Sequence, residues 1–232
     1  MLTQTQTLLI KKDIQTFANS MALCILLGFI ASAIFLTPGK TSVILGSVLY
    51  ITALLGYYPY LVATCVAKEH REKNTIFVMS LPITRRAYLN SKVIACSVIY
   101  FICWAVLLCT ILTGALITGH LPALIPSYVL VVFGTFIPAF LLTLSIAIYS
   151  ESEGWTIATF VFSNTLITLI INIWPNLPAA QEAFAQGSIQ DIGVIMPPFI
   201  QHILLGELFI IAALSLLLAI IVLRKKQFIT CN

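Results

Sequence analysis

Long runs without a charged residue constrain this chain more than any other feature of its sequence. Residues 21–36, 41–67 and 93–150 contain no Asp, Glu, Lys or Arg. A hydrocarbon layer of ~30 Å is crossed by a helix of about 20 apolar residues. The whole chain is 60% hydrophobic and 9% charged, whereas soluble domains carry roughly 25% charged residues. The sequence therefore predicts an all-α polytopic membrane protein with no room for a sizeable soluble domain.

Breaks between and within the apolar runs divide the chain into six predicted spans. Pro38 and Gly39 separate the first two spans, Pro122 precedes the fourth, and Pro175 ends the fifth, because proline and glycine interrupt helices. Residues 1–232 are predicted to form a single transmembrane domain. Its spans lie at about 21–37, 42–67, 93–118, 126–150, 155–174 and 203–223.

Two segments are predicted to lie at the membrane surface. Residues 3–20 mix apolar side chains with Lys11, Lys12 and Asp13, a pattern typical of an interfacial amphipathic helix. The outer segment, 175–201, is too polar to span the membrane. Pro178 and Gly187 favour a short helix within it, since proline often opens helices and glycine often follows their ends. We therefore expect interfacial or re-entrant helices between spans five and six.

The distribution of basic residues predicts the orientation. The chain has 12 Lys and Arg residues, and eleven of them fall on one side of a six-span arrangement, with only Lys40 on the other. The positive-inside rule assigns the crowded side to the cytoplasm, which places both termini there. A five- or seven-span arrangement would divide the basic clusters between the two compartments.

The sequence offers little support for catalysis. Gly39-Lys40-Thr41 resembles the end of a phosphate-binding loop, but Ile34 occupies the position where that motif needs a glycine. No Ser-His-Asp, Cys-His or His-Glu-x-x-His pattern occurs. Cys96 and Cys103 share a helix face without a third ligand at metal-binding spacing. We therefore predict that the chain is not an enzyme, binds no metal or cofactor, and keeps its cysteines as free thiols.

Polar residues within the predicted spans supply two further candidates. Asn164, Thr168 and Asn172 recur at intervals of four in span five; this stripe either forms hydrogen bonds between helices or lines a substrate path. Glu207 is predicted near the outer end of span six, where its carboxylate would reach interfacial water. This scarcity of intramembrane acidic residues argues against an ion-driven carrier.

Residues 68–92 are the most polar part of the chain and carry a distinctive motif. Their nine titratable groups exclude them from hydrocarbon, because one charge at a helix centre costs about 2.5–3.5 kcal/mol. An acidic and basic run leads to a Ser-Leu-Pro-hydrophobic-Thr-Arg sequence and then to a lysine at the head of span three: Lys68-Glu69-His70-Arg71-Glu72-Lys73-Asn74-Thr75, Met79-Ser80-Leu81-Pro82-Ile83-Thr84-Arg85-Arg86 and Lys92. This order resembles the ABC-2 type transporter permeases.

The resemblance implies a permease subunit of an ATP-driven exporter in the bacterial cytoplasmic (inner) membrane. Two permease chains, identical or related, would assemble with two cytoplasmic ATPase subunits, which would bind ATP and magnesium. Residues 68–92 would act as the coupling loop. By the same resemblance, the residues facing the ATPase are Glu69, Arg71, Glu72, Thr75, Leu81 and Pro82. Anchors at the lipid headgroups are predicted at Arg85, Arg86, Lys92, Arg224, Lys225 and Lys226.

Other functions stay open at this point. A permease-like partner in immunity or signalling would couple to an ATPase without moving a solute. A membrane-embedded enzyme or an ion-driven carrier belongs to a different class and would need no ATPase. The resemblance is consistent with a peptide, a lipid, a drug or a sodium ion as the substrate. The basic clusters lie between apolar runs, so they indicate membrane orientation and not nucleic-acid binding.

Overall fold

The computed structural model describes residues 4–68, 84–119, 121–173, 178–185 and 195–224. All the regular elements in these ranges are helical, which confirms the predicted all-α class. The elements are α1 (Gln4–Phe35), α2 (Lys40–Val62), a π-helix (Ala63–Lys68), α3 (Arg85–Thr118), α4 (Ile125–Ser150), α5 (Glu153–Ile173), α6 (Pro178–Ala185) and α7 (Pro198–Arg224).

Five helices in the described ranges are long and apolar enough to cross a membrane. They are α1, α2 with the start of its π-helical continuation, α3, α4 and α7. Helix α5, the predicted fifth span, has 21 residues and a length of roughly 32 Å. The chain is therefore a multi-pass membrane protein, and the number of six crossings stays a prediction.

Helix α1 runs without interruption for 32 residues. It joins the predicted interfacial helix 3–20 and the first predicted span 21–37 into one element. The sequence suggested two segments because charged residues interrupt the apolar pattern at positions 11–13. Gln6 and Asp13 are nevertheless buried, so the first half of α1 packs against protein, in addition to any contact with headgroups.

Helix α4 lies at the centre of the bundle. In its most apolar stretch 67% of the residues are buried, against 17% in α7. Helices α5 and α7 pack on α4, while α1 packs on both α2 and α3. The core between them contains fully buried aromatic side chains, including Tyr100 and Phe140, whose rings stack with centroids 4.2 Å apart.

Both ends of α3 are set by local chemistry. Thr84 precedes the helix, and its side chain accepts a hydrogen bond from the Ala87 N–H at 3.2 Å; this is the N-cap arrangement that satisfies an otherwise free donor. The helix ends at Gly119, whose φ of 66° is left-handed. Glycine adopts that conformation without the Cβ clash that other residues meet.

The start of α4 is tied to the chain segment that leads into α7. The Ile195 N–H donates to the Ala123 carbonyl at 3.1 Å, and the Ser127 hydroxyl donates to the Ile195 carbonyl at 2.5 Å. Earlier in the outer segment, α6 begins at Pro178, the proline predicted to open a short helix, and ends at Ala185. The end of the outer segment is therefore fixed to the central helix of the bundle.

Candidate functional site at the junction of α1 and α3

The first turns of α3 include residues 85–92, the last part of the predicted coupling loop, and pack against the first half of α1. We refer to Gln6, Asp13, Tyr88 and Lys92 as the junction. Gln6 and Asp13 are seven residues apart, and Tyr88 and Lys92 are four apart, so each pair lies on one face of its helix. Lys92 is the last residue of the predicted loop, so a displacement of the loop on its α3 side would act on the junction directly.

Lys92 and Asp13 form a buried ion pair. Lys92 Nζ lies 2.8 Å from Asp13 Oδ2 and 3.0 Å from Oδ1, and both side chains are only 5% exposed. Nζ also lies 5.7 Å from the centroid of the Tyr88 ring, within the range of a cation–π contact. A buried charge without a partner is strongly disfavoured, so the pair ties α1 to α3 only while both partners are present.

A hydrogen bond adds a second connection between the two helices. The Gln6 side-chain amide donates to the Ala87 carbonyl at 3.2 Å, and Gln6 is itself buried. The Ala87 N–H donates to Thr84 at the start of the same helix. The first turn of α3 is therefore held both by its own cap and by α1.

The residues predicted to face an ATPase lie outside the described residues. They are Glu69, Arg71, Glu72, Thr75, Leu81 and Pro82. The described chain resumes at Thr84, just before the junction, and on the other side it ends with the π-helix Ala63–Lys68. Such π-helical turns are rare and occur frequently at functional sites.

The predicted headgroup anchors lie in different environments in the structure. Lys92 is buried against Asp13 instead of facing headgroups, because α1 brings a carboxylate opposite it. Arg86 is exposed and lines a cleft of about 310 Å³ between α3 and α7. Arg224 is the exposed last residue of α7. Arg85 opens α3, but its side chain lies outside the description, as do Lys225 and Lys226.

The polar stripe on α5 bonds to its own helix. The Thr168 hydroxyl donates to the Asn164 carbonyl at 2.9 Å, and the Asn172 amide donates to the Thr168 carbonyl at 2.7 Å. Thr168 and Asn172 are exposed, and Asn164 is half-buried. Hydrogen bonds within α5 itself differ from both predicted roles of the stripe, which were hydrogen bonds between helices and the lining of a substrate path. The role of the stripe in lining a substrate path stays a prediction.

The Glu207 side chain is more buried than the sequence suggested. Helix α7 begins at Pro198, five residues before the predicted start of the span, so Glu207 is about 14 Å along the helix. Its side chain is 8% exposed and packs against Gly134 of α4. The expected position in interfacial water is therefore wrong for this chain.

The described cysteines and acidic residues form no metal-binding group. Within the described ranges, no cluster of three or more His, Cys, Asp or Glu residues could hold a metal ion. The five described cysteines are free: Cys24, Cys65, Cys96, Cys103 and Cys109.

Several apolar helices around a buried central helix, joined at the junction next to a strongly charged loop, define a multi-pass helical membrane protein. The chain belongs to the ABC-2 family of transporter proteins, whose family model, described as ABC-2 family transporter protein, matches residues 8–224. It is therefore a membrane permease component of an ABC transporter, a class of subunit that associates with an ATPase and is not itself catalytic. No significant match to a curated protein or to a solved structure was found.

Proposed function

We propose that this chain is the permease subunit of an ATP-driven exporter, that residues 68–92 couple it to a separate cytoplasmic ATPase, and that the junction transmits the movement of this loop to α1. The family model over residues 8–224 supports the permease role. The observation that carries the coupling proposal is the buried ion pair between Asp13 and Lys92, which connects the last residue of the loop, within α3, to α1.

The two ends of the loop have different main contacts in the bundle. The π-helix at its first end contacts α4 and α5 and also touches α3, whereas α3 at its second end packs mainly on α1. A push on the loop would therefore act on both groups of helices at once. Rigid-body shifts of packed helices are a common way to convert a local displacement into a larger rearrangement.

The charges of the loop favour a protein partner. Residues 68–73 carry three basic and two acidic side chains besides His70. Mixed charges support a specific polar contact and would adhere less to anionic lipid than a uniformly basic segment. The partner that we propose is the nucleotide-binding ATPase, with ATP and magnesium bound in that subunit.

The coupling role is tested by charge reversal in the loop. The tagged chain is purified with its ATPase and reconstituted in lipid nanodiscs. Glu72→Arg and Arg71→Glu should each lower ATPase activity about tenfold, which corresponds to ~1.4 kcal/mol, with normal membrane insertion. The matched control is Glu182→Arg, at an exposed carboxylate in α6, which should leave activity unchanged. Full activity in both loop variants would contradict the coupling role.

Assembly is measured on the nanodisc preparation, and transport is measured on the same purified complex reconstituted in vesicles. We propose two permease chains and two ATPase subunits, a composition that native mass spectrometry resolves. ATP-dependent release of solute from reconstituted vesicles would distinguish an exporter from a signalling partner, which would show ATPase coupling without flux. Transport that runs on an ion gradient without ATP would reject the exporter assignment.

The proposed topology has six spans with both termini in the cytoplasm of a bacterial cell. A fluorescent protein that folds only in the cytoplasm should be active when fused after residue 232 and inactive when inserted at Lys40. A phosphatase that is active only after export should show the opposite result at the two sites. The reverse pattern at either site would contradict the orientation.

A further inference from the structure

The Glu207 carboxylate occupies a notch that a glycine creates in α4. A Cβ atom built on Gly134 would overlap Glu207 Oε2 and would lie 3.0 Å from Cδ and 3.5 Å from Oε1. Gly134 is the tenth residue of α4, and Glu207 is the tenth residue of α7. Both residues are therefore about 14 Å along their helices. Only glycine leaves space for a carboxylate at this contact.

A proline one turn later changes the hydrogen bonding at the same residue. In an α-helix the carbonyl of residue 134 accepts from the N–H of residue 138. Residue 138 is Pro138, which has no N–H to donate. The glycine that admits the carboxylate is thus also the residue whose carbonyl oxygen loses its helical donor.

Both residues of this contact therefore carry a hydrogen-bond acceptor in an apolar setting. An ionised carboxylate only accepts hydrogen bonds, and so does a carbonyl. Glu207 Oε1 has no hydrogen-bond partner among the described residues, and the Glu207 side chain is 92% buried, since 8% is exposed. A buried acceptor without a donor is costly, and a buried negative charge is far more so.

Among the described residues, the elements next to Glu207 offer no cation to compensate this charge. Helix α4 contains no Asp, Glu, Lys, Arg or His, and its titratable side chains are Tyr128 and Tyr149. Helix α3 approaches α7 at a cleft formed by Arg86 and Asn90 with residues 215–223, which begins about 12 Å farther along α7 than Glu207. On α7 itself, His202 is exposed and Arg224 ends the helix.

We propose that Glu207 is a proton-binding site between α4 and α7. In the packed arrangement the carboxyl group holds a proton and donates it in a hydrogen bond to the free Gly134 carbonyl. When α7 moves away from α4 and water enters, the O–H bond breaks, the proton passes to water, and the carboxylate remains. No electron is transferred and no other reactant is needed.

A proton fits this site better than a metal cation. One proton between a carboxyl oxygen and a carbonyl oxygen satisfies both acceptors. Metal cations such as Ca²⁺ need six to eight oxygen ligands, and the contact of Oε2 with Gly134 leaves no space for such a shell. The site is independent of the proposed ATPase coupling, so its test can succeed or fail without that assignment.

Carbodiimide labelling tests the proton directly. Dicyclohexylcarbodiimide modifies protonated carboxyl groups in apolar surroundings, and mass spectrometry locates the adduct. With the full-length chain in lipid nanodiscs at pH 7, Glu207 should be labelled and the exposed Glu182 should not. Labelling of Glu207 should persist far above pH ~4.3, the ordinary midpoint of a glutamate. Pro138→Ala restores a competing N–H donor and should reduce labelling several-fold.

Infrared spectroscopy gives a second measurement that does not depend on access of the reagent. The wild-type chain at pH 7 should show the C=O stretch of a protonated carboxyl group, and Glu207→Gln should lack it, while Glu182→Gln should retain it. Absence of this band in the wild type would overturn the proposal. If Glu207→Gln does not fold, isotope-labelled glutamate in the wild type assigns the band to a glutamate, and the carbodiimide adduct located by mass spectrometry shows whether that residue is Glu207. Loss of labelling on replacing choline by sodium ions at constant pH would also overturn it.

Discussion

Lys92 and Asp13 are 79 positions apart in the sequence, and their charged groups lie 2.8 Å apart in the structure. The lysine lies in α3, at the end of the predicted coupling loop, and the aspartate belongs to α1. Because both side chains are almost fully buried, neither charge can be removed without leaving the other uncompensated. This pair is therefore the most sensitive contact of the junction.

Breaking one partner of this pair should destabilise the protein more than removing both. Asp13→Asn or Lys92→Met leaves a buried charge and is expected to cost about 3–5 kcal/mol. The double variant Asp13→Leu with Lys92→Met should recover most of that loss, because no buried charge remains. Thermal unfolding of the full-length chain in detergent, followed by tryptophan fluorescence, measures all three.

The control for the ion pair is the neighbouring Lys12, which is exposed. Lys12→Met should change the unfolding free energy by less than about 0.5 kcal/mol. A double variant that is no more stable than either single variant would show that the charges act through contacts other than this pair.

The N-cap of α3 should control how firmly the helix begins after the loop. Thr84→Ala removes the acceptor of the Ala87 N–H and should cost about 1 kcal/mol, whereas Thr84→Ser retains it. Hydrogen exchange of the peptide covering residues 85–89 should accelerate several-fold in the alanine variant only. Equal exchange in both variants would indicate that the Gln6 contact alone fixes this turn.

A single methyl group should separate α1 from α2. An alanine Cβ at Gly46 would lie 2.6 Å from the backbone nitrogen of Phe35, so the two helices must move apart. At Gly56, also in α2, nothing lies within 4 Å. Gly56→Ala should therefore stabilise the protein by up to about 1 kcal/mol through helix propensity, and Gly46→Ala should destabilise it. Shifts of the melting temperature in the same direction for both variants would contradict this close contact.

Truncating a buried aromatic side chain should lower the free energy of unfolding through lost packing. Phe140 is fully buried and stacked on Tyr100. In a membrane the transfer term is small, because lipid is as apolar as the core. Phe140→Ala would still leave a cavity of on the order of 100 Å³, worth about 2 kcal/mol at ~24 cal/mol per Å³. Phe209→Ala removes a ring that is 76% exposed and should be nearly neutral in the same unfolding assay.

The sequence predicted those features that depend on local chemistry. Each apolar run contains at least one observed helix, since a backbone in lipid must satisfy its own hydrogen bonds. Pro178 begins α6, and Pro126 occupies the first turn of α4. These positions are readable because proline has a fixed φ and no N–H, whatever the rest of the fold does.

Features that depend on packing were not readable in the same way. Hydropathy alone placed Asp13 and Lys92 at the membrane surface, because it considers each charge separately, and the pair exists only when α1 and α3 pack together. Helix α7 begins five residues before the predicted start of span six, which was set by the polar Gln201 and His202. Ile200 is buried against Leu124 and Val131, and this contact holds the first turn of α7 on α4.

The π-helix before the coupling loop makes chain length, more than composition, the sensitive property of that segment. Residues Ala63–Lys68 wind more loosely than an α-helix. Each residue of an α-helix advances the chain by about 100° around the axis. Because a π-helical turn takes up about one residue more than an α-helical turn, deleting one residue with a return to ordinary winding would leave the end of this segment on nearly the same face of the helix. Inserting one more residue would instead turn that end by roughly 100°. A single deletion should consequently be tolerated better than a single insertion at these six positions.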